Sequence, residues 1–248
     1  MSPKQPGDFA DRSAYRRRVE PAGLRSFTVR IGESDLHVSA SRELPGLARR
    51  ELSAARAALE GRIAAHPEFR TALEPLPDDP TAPPLVREMI AAAAAAGVGP
   101  MAAVAGAVAQ AVGRTLLAQC REVIVENGGD IFMAGGEERV AAIFAGDSPL
   151  SMKLGLRLGP CPAGCGLATS SGTVGPSLSY GKADAAVAFA PDAALADAAA
   201  TAIGNRVKTA DDLAAAMEFA ESIAGLSGAL AIIGENLAAW GEMELVEL

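Results

Sequence analysis

The sequence predicts an α+β protein, in which helices pack against a sheet assembled from hairpins. Three observations lead to this class: segments in which apolar and polar residues alternate, longer segments with apolar residues at helical spacing, and no internal repeat of fixed period. A chain of 248 residues, 50% of them hydrophobic, can bury a full core. We therefore expect one domain over residues 21–248, preceded by a polar, partly ordered lead-in over residues 1–20.

The first half of the chain alternates predicted strands and helices. Period-two alternation broken by turn residues indicates a hairpin, helical spacing indicates amphipathic or alanine-rich helices, and clustered prolines indicate a surface connector. The predicted elements are a β-hairpin over residues 27–38, a helix over 47–65, a connector over 73–84, and helices over 85–96 and 101–118.

The second half begins with short buried strands and returns to helices near its end. Apolar runs bounded by glycine and charged residues indicate the strands, and alanine-rich runs indicate the helices. The predicted elements are strands over residues 122–126, 131–133, 140–144, 153–158 and 187–190, a loop over 159–184, helices over 193–203 and 210–221, and closing strands over 228–233 and 243–246 around Trp240.

Charge and cysteine content argue against several classes of protein. A net charge of −8 opposes binding to nucleic acid or to an anionic membrane surface, because such binding needs clustered Lys and Arg. No apolar run long enough to span a membrane is evident, and no apolar block precedes a cleavage site near the start, so we expect a cytoplasmic protein. Three cysteines are an odd number, which argues against a disulfide framework and fits a reducing compartment.

The first candidate site is the segment Asn127-Gly128-Gly129-Asp130, which lies between two predicted strands. Adjacent glycines allow positive φ and let a ligand approach the backbone amides, where Asp130 could meet a polar group or a metal. The alternative is an ordinary hairpin turn, for which Asn-Gly is a strong signal.

The second candidate is the hydroxyl-rich segment over residues 168–175, which suits an anion held by hydroxyls and amides. Its spacing is not that of a phosphate-binding P-loop, and the alternative is a polar surface loop. The residues that we expect to contact a ligand here and just beyond are Thr169, Ser170, Ser171, Gly172, Thr173, Ser177, Ser179 and Lys182.

The third candidate is the pair Asp197 and Thr201, which share one face of a predicted helix at positions i and i+4. A carboxylate beside a hydroxyl suits Mg²⁺, which takes few protein oxygens and completes its shell with water and phosphate. The alternative is an Asp near a helix start and a Thr that bonds back to its own helix.

Cys161 and Cys165 form a further pair, separated by Pro-Ala-Gly. Two thiolates supply only half of a zinc site, and His37 and His66 lie far away in the sequence. A structural or incidental pair is the leading interpretation, with a transient disulfide or a site shared across a dimer as alternatives.

Five stretches taken together form a recognisable pattern: residues 67–69, 97–106, 125–131, 168–184 and 239–243. In them the sequence resembles the UPF0280 family, and the likeness runs from about Tyr15 to the end of the chain. That family is similar in turn to the ApbE flavin transferases, which use Mg²⁺ and FAD to place FMN on a threonine of a target protein.

The resemblance implies a fold and a set of site residues. The fold is the ApbE-like α+β architecture, with helices packed on a largely antiparallel sheet. Gly128, Gly129 and Asp130 resemble the turn beside the flavin dinucleotide, Ala168-Thr169-Ser170 resembles the Ala-Thr-Ser loop, and Asp197 with Thr201 matches the metal-holding Asp and Thr.

This chain also departs from the transferases at two places. They carry Lys-Gly-Tyr where this chain has residues 102–106, and His-x-x-Asp-Pro where it has residues 177–180. These departures argue against FMN transfer, so the leading hypothesis is a cytoplasmic protein that binds a phosphate-bearing small molecule, a flavin or another nucleotide, with Mg²⁺. If the protein is an enzyme, it is a Mg²⁺-dependent transferase.

Two other functions stay open at this point. Members of the family have been linked to sulfide assimilation and homocysteine formation, so one alternative is a sulfur-metabolism factor that uses Cys161 or Cys165. The other is a non-catalytic interaction protein with a vestigial ligand site. An edge strand or an alanine-rich helix could also serve a homodimer.

Overall fold

Eleven strands in two sheets and six helices build the part of the chain that the computed structural model describes, residues 23–172 and 180–248. The strands are β1 (Arg25–Ile31), β2 (Ser34–Ala40), β3 (Val123–Asn127), β4 (Asp130–Gly135), β5 (Arg139–Ala142), β6 (Leu154–Leu158), β7 (Cys161–Ser170), β8 (Ala185–Ala190), β9 (Gly228–Ile233), β10 (Asn236–Gly241) and β11 (Glu244–Glu247). The helices are α1 (Pro45–Ala65), α2 (Glu68–Thr71), α3 (Pro84–Ala96), α4 (Val104–Leu117), α5 (Ala193–Gly204) and α6 (Leu213–Ser222).

The large sheet has eight strands in the order β1-β2-β3-β4-β7-β8-β9-β10, and every neighbouring pair is antiparallel. A smaller antiparallel sheet has the order β11-β6-β5. The predicted α+β class is therefore confirmed. The polar lead-in predicted over residues 1–20 lies outside the described residues.

The large sheet is covered on both faces, because alternate side chains of each strand enter different cores. On β3 and β4, Val125 and Phe132 join a cluster with residues of α1 and α4. On the opposite face, Met133 and Leu167 join a cluster with Leu156 of the small sheet. The fold is therefore three layers: helices, large sheet and small sheet.

Most of the predicted elements are present, but the short helix α2 and the strands β7 and β10 were not predicted. The loop predicted over residues 159–184 contains β7, a central strand of the large sheet, and Trp240 lies on β10, which was not predicted. β7 is hard to recognise because it is rich in small residues, contains Gly164 at φ 98°, and shifts register against β4 between Met133 and Gly135.

The helix predicted over residues 101–118 begins instead with a 3₁₀ turn at Pro100–Ala103 and becomes α-helical at Val104. The whole segment Pro100–Leu117, with a mean hydropathy of 1.2, is long and apolar enough to cross a membrane by length and composition. The expectation that no such segment exists is therefore wrong. Of this segment 56% is buried inside the fold, as core helices of soluble proteins also are.

Small residues let the helices and the sheet approach closely. A Cβ added at Gly106 on α4 would lie 2.0 Å from the carbonyl oxygen of Ala193 on α5, and one added at Gly166 on β7 would lie 2.2 Å from the Cα of Ala193. Real Cβ atoms do not come so close to backbone, so these contacts require glycine. They fix the position of α5 against both α4 and the sheet.

We expect Gly106→Ala to lower the free energy of unfolding by about 1–3 kcal/mol, because the added methyl group has to displace backbone atoms of α5. The matched control is Gly61→Ala on α1, where an added Cβ meets nothing within 4 Å. The control should gain about 0.5–1 kcal/mol, since alanine favours a helix over glycine. Urea unfolding measures both, and equal stability of the two variants would contradict the close-contact explanation.

Candidate functional site

The first predicted site residues form a two-residue hairpin turn between β3 and β4. Asn127 and Asp130 face each other in the register, and Gly128 and Gly129 complete the turn with φ of 73° and 115°. Side chains at these two positions would strain the backbone, which explains the glycine pair. The amide of Gly129 donates to Oε1 of Glu126 at 3.1 Å, so a carboxylate holds the turn from one side.

The end of β7 brings the second predicted segment beside this turn. β7 pairs with β4, and Thr169 and Ser170 are its last two residues. A Cβ added at Gly129 would lie 3.7 Å from the carbonyl oxygen of Thr169, so the glycine turn and the Ala-Thr-Ser segment are neighbours in space. They are brought together by one antiparallel pairing.

The loop beyond β7 is described only in part. The amide of Gly172, which follows Ser171, donates to the carbonyl oxygen of Ala183 at 2.9 Å. The amide of Lys182 donates to the carbonyl oxygen of Val207 at 2.7 Å, and its side chain is exposed. Thr173, Ser177 and Ser179 lie outside the described residues.

The third predicted pair lies on α5. Asp192 caps this helix, because its Oδ1 accepts a hydrogen bond from the amide of Leu195 at 2.9 Å. Asp197 follows in the second turn and is 8% exposed. Its Oδ2 accepts a hydrogen bond from the amide of Gly106 at 2.9 Å, although the two residues are 91 positions apart.

Asp197 therefore caps the first turn of α4 from a different helix. The first amides of a helix lack partners within it and favour a negative charge nearby. Burial raises the pKa of Asp197 to about 7, although hydrogen bonds from the backbone amides of Gly106 and Ala105 lower it. The carboxyl group is thus balanced between its neutral and charged forms near neutral pH.

A row along α5 connects Asp197 to the end of β7. Asp197, Thr201 and Gly204 follow one another at i, i+4 and i+7, which places them on one helix face. A Cβ added at Gly204 would lie 3.6 Å from Oγ of Ser170. Half-buried Thr201 therefore occupies the middle of a path from the start of α4 to the end of β7.

Strand alternation divides the candidate residues between the two faces of the sheet. Asn127 lies on the helix side, where its Nδ2 donates to the carbonyl oxygen of Ala105 at 3.1 Å. Glu126 lines a cavity on the opposite side, and so does Leu167, two residues before Thr169. The turn and the end of β7 therefore stand at the edge where both faces can be reached.

That cavity lies between the two sheets, has a volume of about 270 Å³ and was not predicted. It is lined on the large sheet by residues that include His37, Glu126 and Ile131, and on the small sheet by residues that include Ala141 and Leu158. The signal that could have revealed it is the polar residue at every second position of β2, at Asp35, His37 and Ser39, followed by Glu126 after the apolar first residues of β3.

Cys161 and Cys165 are joined by a disulfide along β7, and Cys120 is the free cysteine. The odd count is thus accounted for by one bridge and one buried thiol. The disulfide agrees with the leading interpretation in its structural form, and it is also the bond that the transient-disulfide alternative requires. The two half-cystines are four positions apart in the sequence, so the bridge closes a small loop.

A metal would have few protein ligands here. Within residues 23–172 and 180–248, no three side chains of His, Cys, Asp or Glu lie together in a way that could hold an ion. Asp197 and Thr201 supply one carboxylate and one hydroxyl. This donor set fits Mg²⁺ that takes its other ligands from water and phosphate, and it does not fit a cation that needs an all-protein shell.

The pKa of Asp197 leads to a prediction about stability and pH. In the unfolded chain this carboxyl titrates near 3.8, and in the folded chain near 7, so between these values the folded state holds a proton that the unfolded state has lost. Its contribution to stability is complete below about pH 4 and is lost as the pH rises to 7.

We expect Asp197→Asn, which stays neutral, to gain stability relative to the parent protein over this range by up to about 1.4 kcal/mol per pH unit. Urea unfolding in EDTA between pH 4.5 and 8 measures the difference. Asp147→Asn, at an exposed aspartate, is the control and should follow the parent. A constant difference between Asp197→Asn and the parent would show that this carboxyl has an ordinary pKa.

Comparison with known proteins gives a consistent result. The family described as AbpE bacteria matches residues 16–236. UPF0280 proteins of Methanocella arvoryzae and Methanosarcina acetivorans are 46% and 41% identical over 189 and 223 residues, which cover 76% and 89% of this chain and 77% and 85% of the relatives.

The fold resembles that of two solved proteins. The apo form of the flavinyl transferase ApbE from Pseudomonas stutzeri matches with a TM-score of 0.57 and 14% identity, over 88% of this chain and 94% of that one. A mutant of the flavin transferase ApbE from Vibrio cholerae matches with a TM-score of 0.57 and 12% identity, over 88% and 97%. These likenesses show the fold.

Proposed function

This chain belongs to the UPF0280 proteins, within the family described as AbpE bacteria, and from that premise we propose that it binds a phosphate-bearing small molecule, a flavin or another nucleotide, together with Mg²⁺. The protein acts in the cytoplasm and takes a small molecule as its partner. The observation that carries the proposal is the convergence of three distant segments: the Gly128–Gly129 turn, the end of β7 and the Asp197–Thr201 row of α5.

The Mg²⁺ site consists of Asp197 and Thr201. A buried carboxylate is costly unless a proton or a cation neutralises it, and the raised pKa of Asp197 reflects that cost. Mg²⁺ bound there supplies positive charge that neutralises phosphate oxygens. Thr201 adds a hydroxyl oxygen one helical turn away, on the side toward the end of β7.

The remaining residues serve the ligand itself. Gly128 and Gly129 present backbone without side chains, so that a flat or branched ligand can lie against the turn. The hydroxyls of Thr169 and Ser170 donate hydrogen bonds to oxygen atoms of an anion. Ser171, Gly172 and Lys182 belong to the loop that continues from this point, and Lys182 adds the positive charge of an exposed ammonium.

The proposal does not extend to FMN transfer. The solved proteins of similar fold are named flavin transferases, but identities of 12–14% support the fold alone. The transferases' Lys-Gly-Tyr is replaced here by residues 102–106, where Gly106 donates its amide to Asp197. If a bond is made, the reaction is a Mg²⁺-dependent transfer that relies on other groups.

We expect FAD, FMN or ATP to raise the melting temperature in the presence of Mg²⁺ and to do so less in EDTA. A ligand at 100 times its Kd stabilises by about 2.7 kcal/mol, which corresponds to roughly 5–10 °C for a chain of this size. Differential scanning fluorimetry with each nucleotide measures the shift. No shift with any of the three would count decisively against the proposal.

We expect Asp197→Asn and Thr201→Val to weaken the Mg²⁺-dependent part of this binding at least tenfold, because each removes one ligand of the cation. Asp147→Asn serves as the control, since it removes an equal charge from an exposed position. Isothermal titration at constant free Mg²⁺ gives the affinities. Unchanged affinity in both site variants would place the cation elsewhere.

The disulfide of Cys161 and Cys165 favours a second candidate function, in sulfur metabolism. When hydrosulfide attacks this disulfide, a new S–S bond forms on one cysteine, which becomes a persulfide, and the Cys161–Cys165 bond breaks. The other cysteine leaves as a thiolate, so the disulfide itself is the oxidant. Cys161 is the more accessible of the two, because Cys165 is only 3% exposed.

We expect incubation with sulfide, followed by alkylation, to add one sulfur atom to a peptide that contains Cys161 or Cys165. Mass spectrometry detects the product, and protein reduced beforehand is the control because it has no disulfide to attack. Cys120→Ser should behave as the parent protein. A sulfur adduct that forms equally in reduced protein would rule out this route.

A further inference from the structure

The cavity between the two sheets is not used by the proposed phosphate site. Its deep wall is aliphatic: Met133 and Leu167 of the large sheet and Leu158 of the small sheet are each less than 10% exposed. Ala141 on β5 of the small sheet also lines the cavity and packs against the same core cluster. Because alanine is short, it leaves open the space between the sheets.

The size of the cavity limits what it can hold. Its volume of about 270 Å³ is more than the roughly 150 Å³ that suffices for benzene, and slightly less than the roughly 300 Å³ at which pockets for whole drug-sized ligands begin. Sheets that pack face to face lie roughly 10 Å apart, which favours a flat occupant between them. Two or three fused rings fit these limits.

The large-sheet wall of the cavity carries polar groups. His37 and Glu126 are directly opposite each other in the register of β2 and β3, and both line the cavity. Glu126 also accepts the amide hydrogen bond of Gly129, so this wall continues into the glycine turn. A carboxylate beside an imidazole can accept hydrogen bonds from the N–H groups on the edge of a heterocycle.

The other charged groups of the lining are engaged in ion pairs. Arg139 donates to Oε1 of Glu122, with an Nε distance of 2.9 Å. Glu138 accepts from Arg157 at 2.7 Å. The first pair joins β5 to the residue that precedes β3 of the large sheet, the second joins the residue before β5 to β6 of the same small sheet, and both neutralise charge in the lining. An uncharged occupant therefore suits the cavity better than an ionic one.

We propose that the inter-sheet cavity is a ring subsite, which takes an uncharged, flat heterocycle of two or three fused rings with its N–H edge toward Glu126 and His37. This rests on the proposed function for the ligand's identity: the ring is the base or flavin portion of the molecule whose phosphates lie beyond the Gly128–Gly129 turn. Glu126 then joins the two parts of the site, because it holds the turn and faces the ring.

Riboflavin, which carries the ring without phosphate, tests the subsite in EDTA, where the Mg²⁺ site cannot contribute. Fluorescence quenching gives its Kd. We expect Ala141→Leu, which fills the cavity, to raise the Kd of riboflavin at least tenfold. Glu126→Gln adds no volume and keeps an acceptor for the amide of Gly129, and we expect it to raise the Kd at least threefold. Ala215→Leu, at an exposed position of α6, is the matched control and should bind as the parent does.

Absence of riboflavin binding, or equal Kd values in the parent, Ala141→Leu and Glu126→Gln, would overturn the ring subsite. Inorganic pyrophosphate with Mg²⁺, which has no ring, tests the phosphate site separately, since its binding should weaken in Asp197→Asn and stay unchanged in Glu126→Gln. If riboflavin does not bind and Mg²⁺-pyrophosphate does, the ring subsite alone is overturned. If riboflavin binds and Mg²⁺-pyrophosphate does not, the proposed phosphate site is overturned and the cavity remains a ring site.

Discussion

The close approach of the first turn of α5 to its neighbours determines where Asp197 and Thr201 lie relative to α4 and β7. Ala193 touches glycine backbone on two sides, at Gly106 of α4 and at Gly166 of β7, and neither position has space for a Cβ. Because three backbones meet here, a small shift of α5 would move Asp197 away from the amide of Gly106. The glycines are therefore required by the geometry of the site as much as by packing.

A buried glutamine adds polar contacts to this close approach. Gln110 on α4 is fully buried; its Oε1 accepts from the amide of Ala193 at 2.8 Å and its Nε2 donates to Asp192 at 2.7 Å. The same amide group donates to Glu88 of α3 at 3.1 Å. Hydrogen bonds are directional, so those of this buried side-chain amide fix the rotation of α5 about its axis as well as the distance between α5 and α4. Thr201 and Gly204 consequently face the end of β7.

Because the large sheet is buried on both faces, the proposed site borders two different environments. On the helix side, Asn127 and Asp197 contact the first turn of α4, where charge is favoured. On the other side, Glu126 borders an aliphatic cavity, where an uncharged group is favoured. At the Gly128–Gly129 turn and the adjacent end of β7, one ligand can reach both environments. A molecule with charged phosphates and an apolar ring matches that arrangement.

The sequence by itself determined the features that depend on neighbouring residues. The hairpin over residues 27–38, the helix over 47–65 and the glycine turn at Gly128–Gly129 all follow from local periodicity and from backbone angles that only glycine adopts easily. The resemblance to UPF0280 proteins and the α+β class were also readable, since both rest on contiguous motifs.

The tertiary structure alone decided the features that depend on distant residues. β7 lacks a periodic pattern because it is buried on both faces and packs against α5 through glycine and alanine, so only its partners β4 and β8 identify it as a strand. Burial beside α4 raises the pKa of Asp197, whose carboxyl group accepts a hydrogen bond from an amide 91 residues away, and the cavity exists because two sheets face each other. Local sequence patterns do not reveal such contacts, because the burial of a residue depends on the whole fold.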